Sequence, residues 1–100
     1  MKELEWTLHA KAKMAFYRLY EGRIRRIVKI PERIEEGIAE GTVALMQPQG
    51  KGRGEHEIWV MVRDVGGRRR IISAWRYPGR TIPGEPLPKE ILKEFKEAIS

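Results

Sequence analysis

The stretch from Glu57 to Tyr77 constrains the fold more than any other, because it predicts a β-hairpin. Two runs rich in Val, Ile, Trp and Tyr flank a Gly-Gly pair, which is typical of a tight chain reversal. Neither run has a clean polar face, so both faces of the hairpin are expected to be covered, as in the middle of a sheet. In the second run Trp75 and Tyr77 share one face, while Arg76 points to the other.

The composition bounds the rest of the molecule. A chain of 100 residues predicts a single domain, residues 1–100, with one core. The formal charge of +6 and the pI of about 9.9 favour a polyanionic partner, nucleic acid first. The absence of cysteine excludes disulfides and thiol chemistry, and two histidines argue against a metal site, so no cofactor is expected.

Two further expectations come from the composition. No apolar run approaches the roughly 18 residues of a membrane span, which favours a cytoplasmic protein. Asn is absent and Gln and Asp are rare beside abundant Glu, Lys and Arg, a bias that suggests a thermophilic source. Part of the Lys and Arg content would then serve stability rather than binding.

The first helix is predicted from about Leu8 to Tyr20, with Thr7 as its N-cap. Its spacing predicts one buried face, formed by Leu8, Ala12, Ala15, Phe16 and Leu19. Beside that face, His9, Lys13 and Tyr20 form a stripe. Two interpretations are open: His9 caps or packs at the first turn and Lys13 is an ordinary solvated charge, or the stripe belongs to a site.

A second helix is predicted from about Gly22 to Lys29, because Pro31 stops it. Its expected buried stripe is Ile24, Ile27 and Val28, its opposite face is Arg25, Arg26 and Lys29, and Arg23 borders both. Residues 9–33 contain eight Lys and Arg against two Glu. This excess favours anion binding slightly over the alternative, a solvated helix face.

Short strands are predicted from Glu32 to Ile38 and from Thr42 to Gln47. The following loop, residues 48–55, alternates three glycines with Lys51 and Arg53 but lacks the ending of a phosphate-cradling loop. It is either a basic flap over a substrate groove or a plain connection. His56 behind it either faces the same groove or is merely exposed.

The last part of the chain is predicted to be a Pro/Gly-rich extended segment, residues 79–88, and a helix that ends near Ile99. One face of this helix is apolar and consists of Ile91, Leu92, Phe95, Ala98 and Ile99. We expect that face to pack on this domain or on a second copy, and we assign the helix no chemistry.

The order of these elements, together with particular residues, resembles a known family. An early helix carries His9 and then Lys13-Met14, the basic second helix ends in Ile-Pro-Glu-Arg, and the Gly-Gly turn leads to Ile-Ile-Ser-Ala-Trp-Arg. This pattern resembles the small RelE-like toxin proteins, in particular uncharacterised relatives with a helical His-x-x-x-Arg/Lys-Met and a similar closing strand. BrnT-type toxins also have such a strand. The likeness covers about residues 6–78.

The resemblance implies an α+β fold in which two N-terminal helices pack on an antiparallel sheet of about four strands, here followed by a C-terminal helix. For characterised members it also implies metal-independent cleavage of RNA. His9, Lys13 and Arg76 match the early His, the basic residue after it and the closing-strand Arg, and are therefore the candidate catalytic residues. The family's second Arg on the first helix matches either Arg18 or Arg23.

Such chemistry needs no metal, because the 2′-hydroxyl of RNA is itself the nucleophile. His9 is suited to move a proton near neutral pH, and Lys13, Arg23 and Arg76 are suited to neutralise the charge on the phosphate. The residues predicted to bind nucleic acid are Arg23, Arg25, Arg26, Lys29, Lys51, Arg53 and Tyr77.

Three hypotheses follow. The chain is an endoribonuclease of toxin–antitoxin type that cleaves RNA with or without the ribosome, a non-catalytic RNA-binding module, or a basic domain that binds an acidic, antitoxin-like protein. The chain lacks the residues that a serine hydrolase, a metalloenzyme or a nucleotide-dependent enzyme needs, so these three classes of enzyme are excluded. We expect a monomer or a weak homodimer.

Overall fold

A computed structural model of the chain describes residues 2–37, 40–85 and 87–99. In chain order the elements are β1 (Glu3–Trp6), α1 (Leu8–Tyr17), α2 (Glu21–Lys29), β2 (Arg33–Glu36), β3 (Thr42–Gln49), a 3-10 turn (Gly52–Gly54), β4 (His56–Val65), β5 (Arg68–Pro78) and α3 (Lys89–Ile99). The strand order is β1-β5-β4-β3-β2, with β1 parallel to β5 and the other pairs antiparallel. The predicted α+β class is confirmed. In the described part of the chain, every helix is too short or too polar to cross a membrane.

The sheet has one strand more than the four expected, because β1 pairs alongside Arg68–Ile71 of β5. The segment Glu3–Trp6 is four residues long and half of it is Glu, a residue depleted in strands, so its alternation of Glu with Leu and Trp is a weak strand signal. Glu5 lies opposite Arg70 in the register, and their side chains form an ion pair of 2.7 Å. The strand therefore forms through tertiary pairing rather than local preference.

The predicted hairpin is confirmed as β4 and β5, and Gly66 takes a φ of 61° in the turn between them. A β-bulge interrupts the register between Met61 and Val62. Ile71 consequently packs on one face of the sheet and Ile72 on the other, opposite to the alternation expected for them. Beyond the bulge the alternation resumes as predicted.

Both faces of the sheet are covered, as expected. On one face α1 and α2 pack over Leu45, Ile58, Val60, Val62, Ile71 and Ala74. The other face carries Ala44, Met46, Trp59, Met61, Ile72 and Trp75, and Ile91 of α3 packs against it. The rings of Trp59 and Trp75, which lie opposite each other in the register, stack at 6.2 Å. The last helix therefore docks on its own domain, with Ile91 fully buried.

The first helix differs from its prediction in length and in its buried face. Thr7 is the N-cap, as predicted, and its Oγ1 accepts from the amide of Ala10. The helix ends at Tyr17, because Arg18 adopts a left-handed conformation. Of the residues expected in the core, Leu8 and Phe16 are 85% and 76% exposed and Ala12 and Ala15 are exposed too, whereas Leu19 is buried as predicted. Ala10 and Met14 are buried instead.

The error has a physical cause. The helix carries two weak apolar arcs, and the spacing alone does not choose between them. The Thr7 hydroxyl also donates to the carbonyl of Ile72, and the Thr7 amide donates to that of Ile71. These bonds to β5 fix the start of the helix on the strand, so the narrow arc with Ala10 and Met14 faces the sheet.

The second helix agrees with its prediction in extent and burial, since Ile24, Ile27 and Val28 are all buried. The strand expected from Glu32 to Ile38 is shorter, Arg33–Glu36, and Ile38 lies outside the described residues. The strand expected from Thr42 extends to Gln49 rather than Gln47. Its end therefore reaches the same end of the sheet as the start of β4.

Candidate nucleic-acid interface

Arg76 connects the end of β5 to the end of α1. Its Nε donates to the carbonyl oxygen of Tyr17 at 2.8 Å, and its Nη2 donates to that of Arg18 at 3.4 Å. These are the last carbonyl oxygens of the helix, which have no partner within it. A guanidinium here satisfies them and offsets the negative end of the helix dipole.

The free end of Arg76 faces two neighbouring strands. Its Nη1 lies 2.7 Å from Nε2 of His56 at the start of β4 and 3.5 Å from Oε1 of Gln49 at the end of β3. A guanidinium only donates, so Nε2 of His56 is the acceptor. Nδ1 then carries the proton and donates to the carbonyl of Gly54 at 2.9 Å. These partners assign His56 as a neutral ring with its proton on Nδ1.

The second helix adds two more arginines to this end of the molecule. Arg23 donates to the carbonyl of Pro48 at 3.4 Å, and its Nε is buried without an acceptor among the described residues. Partial burial and the charges of Arg26 and Arg76 lower the pKa of Arg23. Burial contributes most to this shift, and the charges of the two other guanidinium groups add to it. We call Arg23, Arg26 and Arg76 the arginine cluster.

Counterions are found elsewhere. At the opposite end of the long hairpin, Arg69 pairs with Asp64 at 2.8 Å and Arg70 pairs with Glu5 at 2.7 Å. Across residues 2–37, 40–85 and 87–99, no carboxylate oxygen lies within 4 Å of a nitrogen of the arginine cluster. The arginine cluster therefore lacks the carboxylate partners that Arg69 and Arg70 have near the hairpin turn.

The glycine-rich loop lies next to this end. Gly50 has a φ of 80°, and a Cβ there would collide with the carbonyl oxygen of Gly54, so the fold-back of the loop needs glycine. Lys51 is exposed directly before the 3-10 turn that His56 contacts, and Arg53 is exposed within that turn. The loop is thus a compact connection that carries two further cations. Its movement as a flap stays a prediction.

Lys13 is engaged by the last helix instead. Its Nζ lies 3.0 Å from Oε2 of Glu94 and 3.6 Å from Oε2 of Glu97, while the hydroxyl of Tyr17 also donates to Glu94. Burial alone would lower the pKa of Lys13, but the hydrogen bond and the charge of Glu94 outweigh it and raise the pKa. Two carboxylates neutralise the charge of this lysine, so a phosphate would have to compete with them for it.

The remaining predicted residues are spread around the domain. His9 lies in the first turn of α1, and the Tyr17 carbonyl that Arg76 contacts lies about 12 Å further along the helix axis. Tyr77 packs on the face of the sheet opposite Arg76. Arg25 stacks over the ring of Trp6, with its guanidinium 5.6 Å from the ring centre. Lys29 is exposed at the C-terminal end of α2.

A buried carboxylate, which the sequence pattern does not mark, holds the segment after β5. Glu57 is fully buried and accepts from Trp59 Nε1 at 3.0 Å. It also accepts from the amide and hydroxyl of Thr81, at 3.1 and 2.7 Å, and from Nε of Arg80 at 3.3 Å. Arg33 donates to the same Thr81 hydroxyl. These bonds fix the path of the chain from β5 towards α3.

The contact between His56 and Arg76 joins residues 20 positions apart, so only the strand register brings them together. The described residues contain no group of three or more His, Cys, Asp or Glu side chains placed to hold a metal ion. Comparisons with protein-family models, with curated proteins and with solved structures found no match.

Proposed function

We propose that the chain binds RNA through the arginine cluster. The observation that carries the proposal is that Arg23, Arg26 and Arg76 have no carboxylate partner within 4 Å among the described residues. Burial lowers the pKa of Arg23, and the charges of Arg26 and Arg76 lower it further. Keeping like charges together destabilises a fold unless an anion relieves the repulsion. A phosphate is the anion that suits this cluster, because the planar fork of N–H donors of a guanidinium can bind two phosphate oxygens at once.

RNA is favoured over a small anion by the extent of the charged surface. The cluster continues into Lys51 and Arg53 of the adjoining loop, which are exposed and without ion pairs among the described residues. A chain of phosphates can use cations at several points, and each contact releases counterions. The resemblance to RelE-like toxins, stated above from the sequence, agrees with an RNA ligand.

A salt titration tests the binding step. Single-stranded RNA binding should weaken with salt, and Arg26→Gln should reduce the slope of log K against log salt by about 0.7, the share of one phosphate contact. Arg68→Gln is the matched control, because it removes the same charge from an exposed arginine near Glu5 at the other end of β5. If both variants change the slope equally, the cluster is not the binding surface.

Cleavage of the bound RNA is a second proposed function, and the pair His56–Arg76 favours it. Nε2 of His56 accepts from Arg76 at 2.7 Å. A phosphate that draws Arg76 towards itself would free Nε2 to take the proton of the 2′-hydroxyl. The 2′ oxygen then bonds to phosphorus as the bond to the 5′ oxygen breaks, and that oxygen takes a proton from water. The products would be a 2′,3′-cyclic phosphate and a 5′-hydroxyl.

In this mechanism Arg76 remains a candidate catalytic residue, as the sequence predicts, but His56 takes the place of His9 as the proton acceptor. In a cleavage assay with a chelator present, His56→Gln should lower the rate at least about 100-fold, the usual share of a general base. His9→Gln should leave the rate near that of the unaltered protein, because His9 lies at the far end of α1.

The outcomes separate the three hypotheses. Binding without cleavage, with and without ribosomes, would leave the RNA-binding module. If the protein neither binds nor cleaves RNA, the result would favour the third hypothesis, a basic domain with an acidic, antitoxin-like partner. That partner stays a prediction.

A further inference from the structure

We infer that a surface pocket beside the arginine cluster binds an unpaired RNA base, an inference that rests on the RNA binding proposed above. The pocket has a volume of about 400 Å³ and lies where α1 ends and α2 begins. The residues that line it include Tyr20, the apolar residues Met14, Ala15 and Leu19, and the cations Lys11 and Arg18. This combination of aromatic ring, apolar floor and positive rim matches the parts of a nucleotide.

Among the described residues, Tyr20 belongs to neither cluster of the hydrophobic core. The residue is the N-cap of α2, yet its side chain makes no capping hydrogen bond, and it is 77% exposed. One exposed aromatic ring is not unusual by itself. Here the exposed residue lines a pocket that the buried Met14 and Leu19 also line. A base that enters the pocket can therefore stack on Tyr20 and remove apolar surface from water.

The positive rim is available for a phosphate. Neither Lys11 nor Arg18 has a carboxylate within 4 Å among the residues that the structure describes. Glu21 also borders the pocket, but it belongs to the first turn of α2, where a carboxylate stabilises the helix dipole.

Arg18 links the pocket to the arginine cluster. Its φ of 57° is the one positive value for a residue other than glycine in the described chain. Glycine would adopt this conformation without strain, so the position gives up some stability to carry an arginine. Its carbonyl accepts from Arg76. The same residue thus accepts a hydrogen bond from the cluster and lines the pocket.

The pocket selects single strands. In a duplex each base is stacked on both sides, so its face cannot reach a tyrosine on a protein surface. An unpaired base can turn out and stack while its phosphates lie against Arg18 and the arginine cluster. Preference for single-stranded over double-stranded RNA follows.

The test compares two strands of equal length and charge, a single-stranded RNA and a ribose-phosphate strand that lacks bases. Tyr20→Leu should weaken RNA binding about 5-fold to 100-fold, the usual effect of losing one stacked base, and should leave binding of the base-free strand unchanged. Tyr20→Phe should bind RNA as the unaltered protein does. The control is Phe16→Leu, because Phe16 is equally exposed at 76% but lies outside the pocket lining, and this variant should change binding less than twofold.

Three results would overturn the inference: full RNA binding by Tyr20→Leu, an equal loss on the base-free strand, or an equal loss in Phe16→Leu. If the unaltered protein binds both strands with the same affinity, the stacking inference fails while phosphate binding stands. If it binds neither strand, the proposed function fails and the inference falls with it.

Discussion

The buried carboxylate of Glu57 allows a prediction about stability that is independent of any ligand. Four donors converge on its two oxygens, and Glu57→Gln leaves one of these oxygens in place. The NH₂ group of the Gln side chain would then face the N–H donors of Arg80 and Thr81, to which it cannot act as an acceptor. With the Oε2 position replaced, the buried amide of Thr81 loses its acceptor, which costs about 1–3 kcal/mol. Arg80 is 41% exposed, so it can turn to water.

The bonds to the remaining oxygen lose the help of the negative charge, which adds about 1 kcal/mol. The expected loss in the free energy of unfolding is therefore about 2–4 kcal/mol. For a domain of this size it lowers Tm by at least about 8 °C. Urea unfolding followed by tryptophan fluorescence measures the change, since Trp59 donates directly to Glu57.

Glu55→Gln is the matched control for this prediction. Glu55 pairs with the same Arg80 at 3.0 Å, but its side chain is 36% exposed, so its loss should cost less than about 1 kcal/mol. A change below about 1 kcal/mol for Glu57→Gln, or equal changes for the two variants, would contradict a stabilising role of the buried carboxylate.

Three further predictions concern single residues. Hydrogen bonds from Arg69 and Lys2 lower the pKa of Asp64 to about 2. The contribution of Asp64 to stability is therefore present above about pH 4 and is lost as the pH falls towards 2. When the urea midpoint is plotted against pH, Asp64→Asn should flatten the curve between these two pH values. Glu94→Gln should lower the pKa of Lys13, measured by NMR titration, because the charge of Glu94 no longer offsets the effect of burial. An unchanged pKa would contradict the contact with α3. Arg18→Gly should raise the free energy of unfolding by about 1 kcal/mol by removing left-handed strain and should weaken RNA binding, whereas a loss of stability would count against the strain.

The sequence predicted those elements whose burial follows a single clear period. Ile24, Ile27 and Val28 lie at helical spacing beside Pro31, so both the extent and the face of α2 were correct. The Gly-Gly turn likewise located the hairpin. In α1, by contrast, two apolar arcs compete, and the bonds between Thr7 and β5 decide between them. That contact spans 65 residues, which no local pattern encodes.

The candidate site was only partly predictable for the same reason. Arg76 stands out in the sequence because it ends an apolar strand between two aromatic residues. Its partners do not, since the register of β3, β4 and β5 alone brings Gln49 and His56 to it. Lys13 shares a helix with the expected site, but the docking of α3 gives it two carboxylate partners. The RelE-like resemblance, the thermophilic source and the cytoplasmic location stay predictions.

The most direct test of the account is an NMR titration of the arginine side chains with a short single-stranded RNA. The Nε–H signals of individual arginines can be assigned by substituting each one with Gln. We expect the signals of Arg23, Arg26 and Arg76 to shift as RNA is added, while those of Arg69 and Arg70, which are paired with Asp64 and Glu5, stay in place. Shifts confined to Arg69 and Arg70, or no shift in the arginine cluster at saturating RNA, would contradict the central claim.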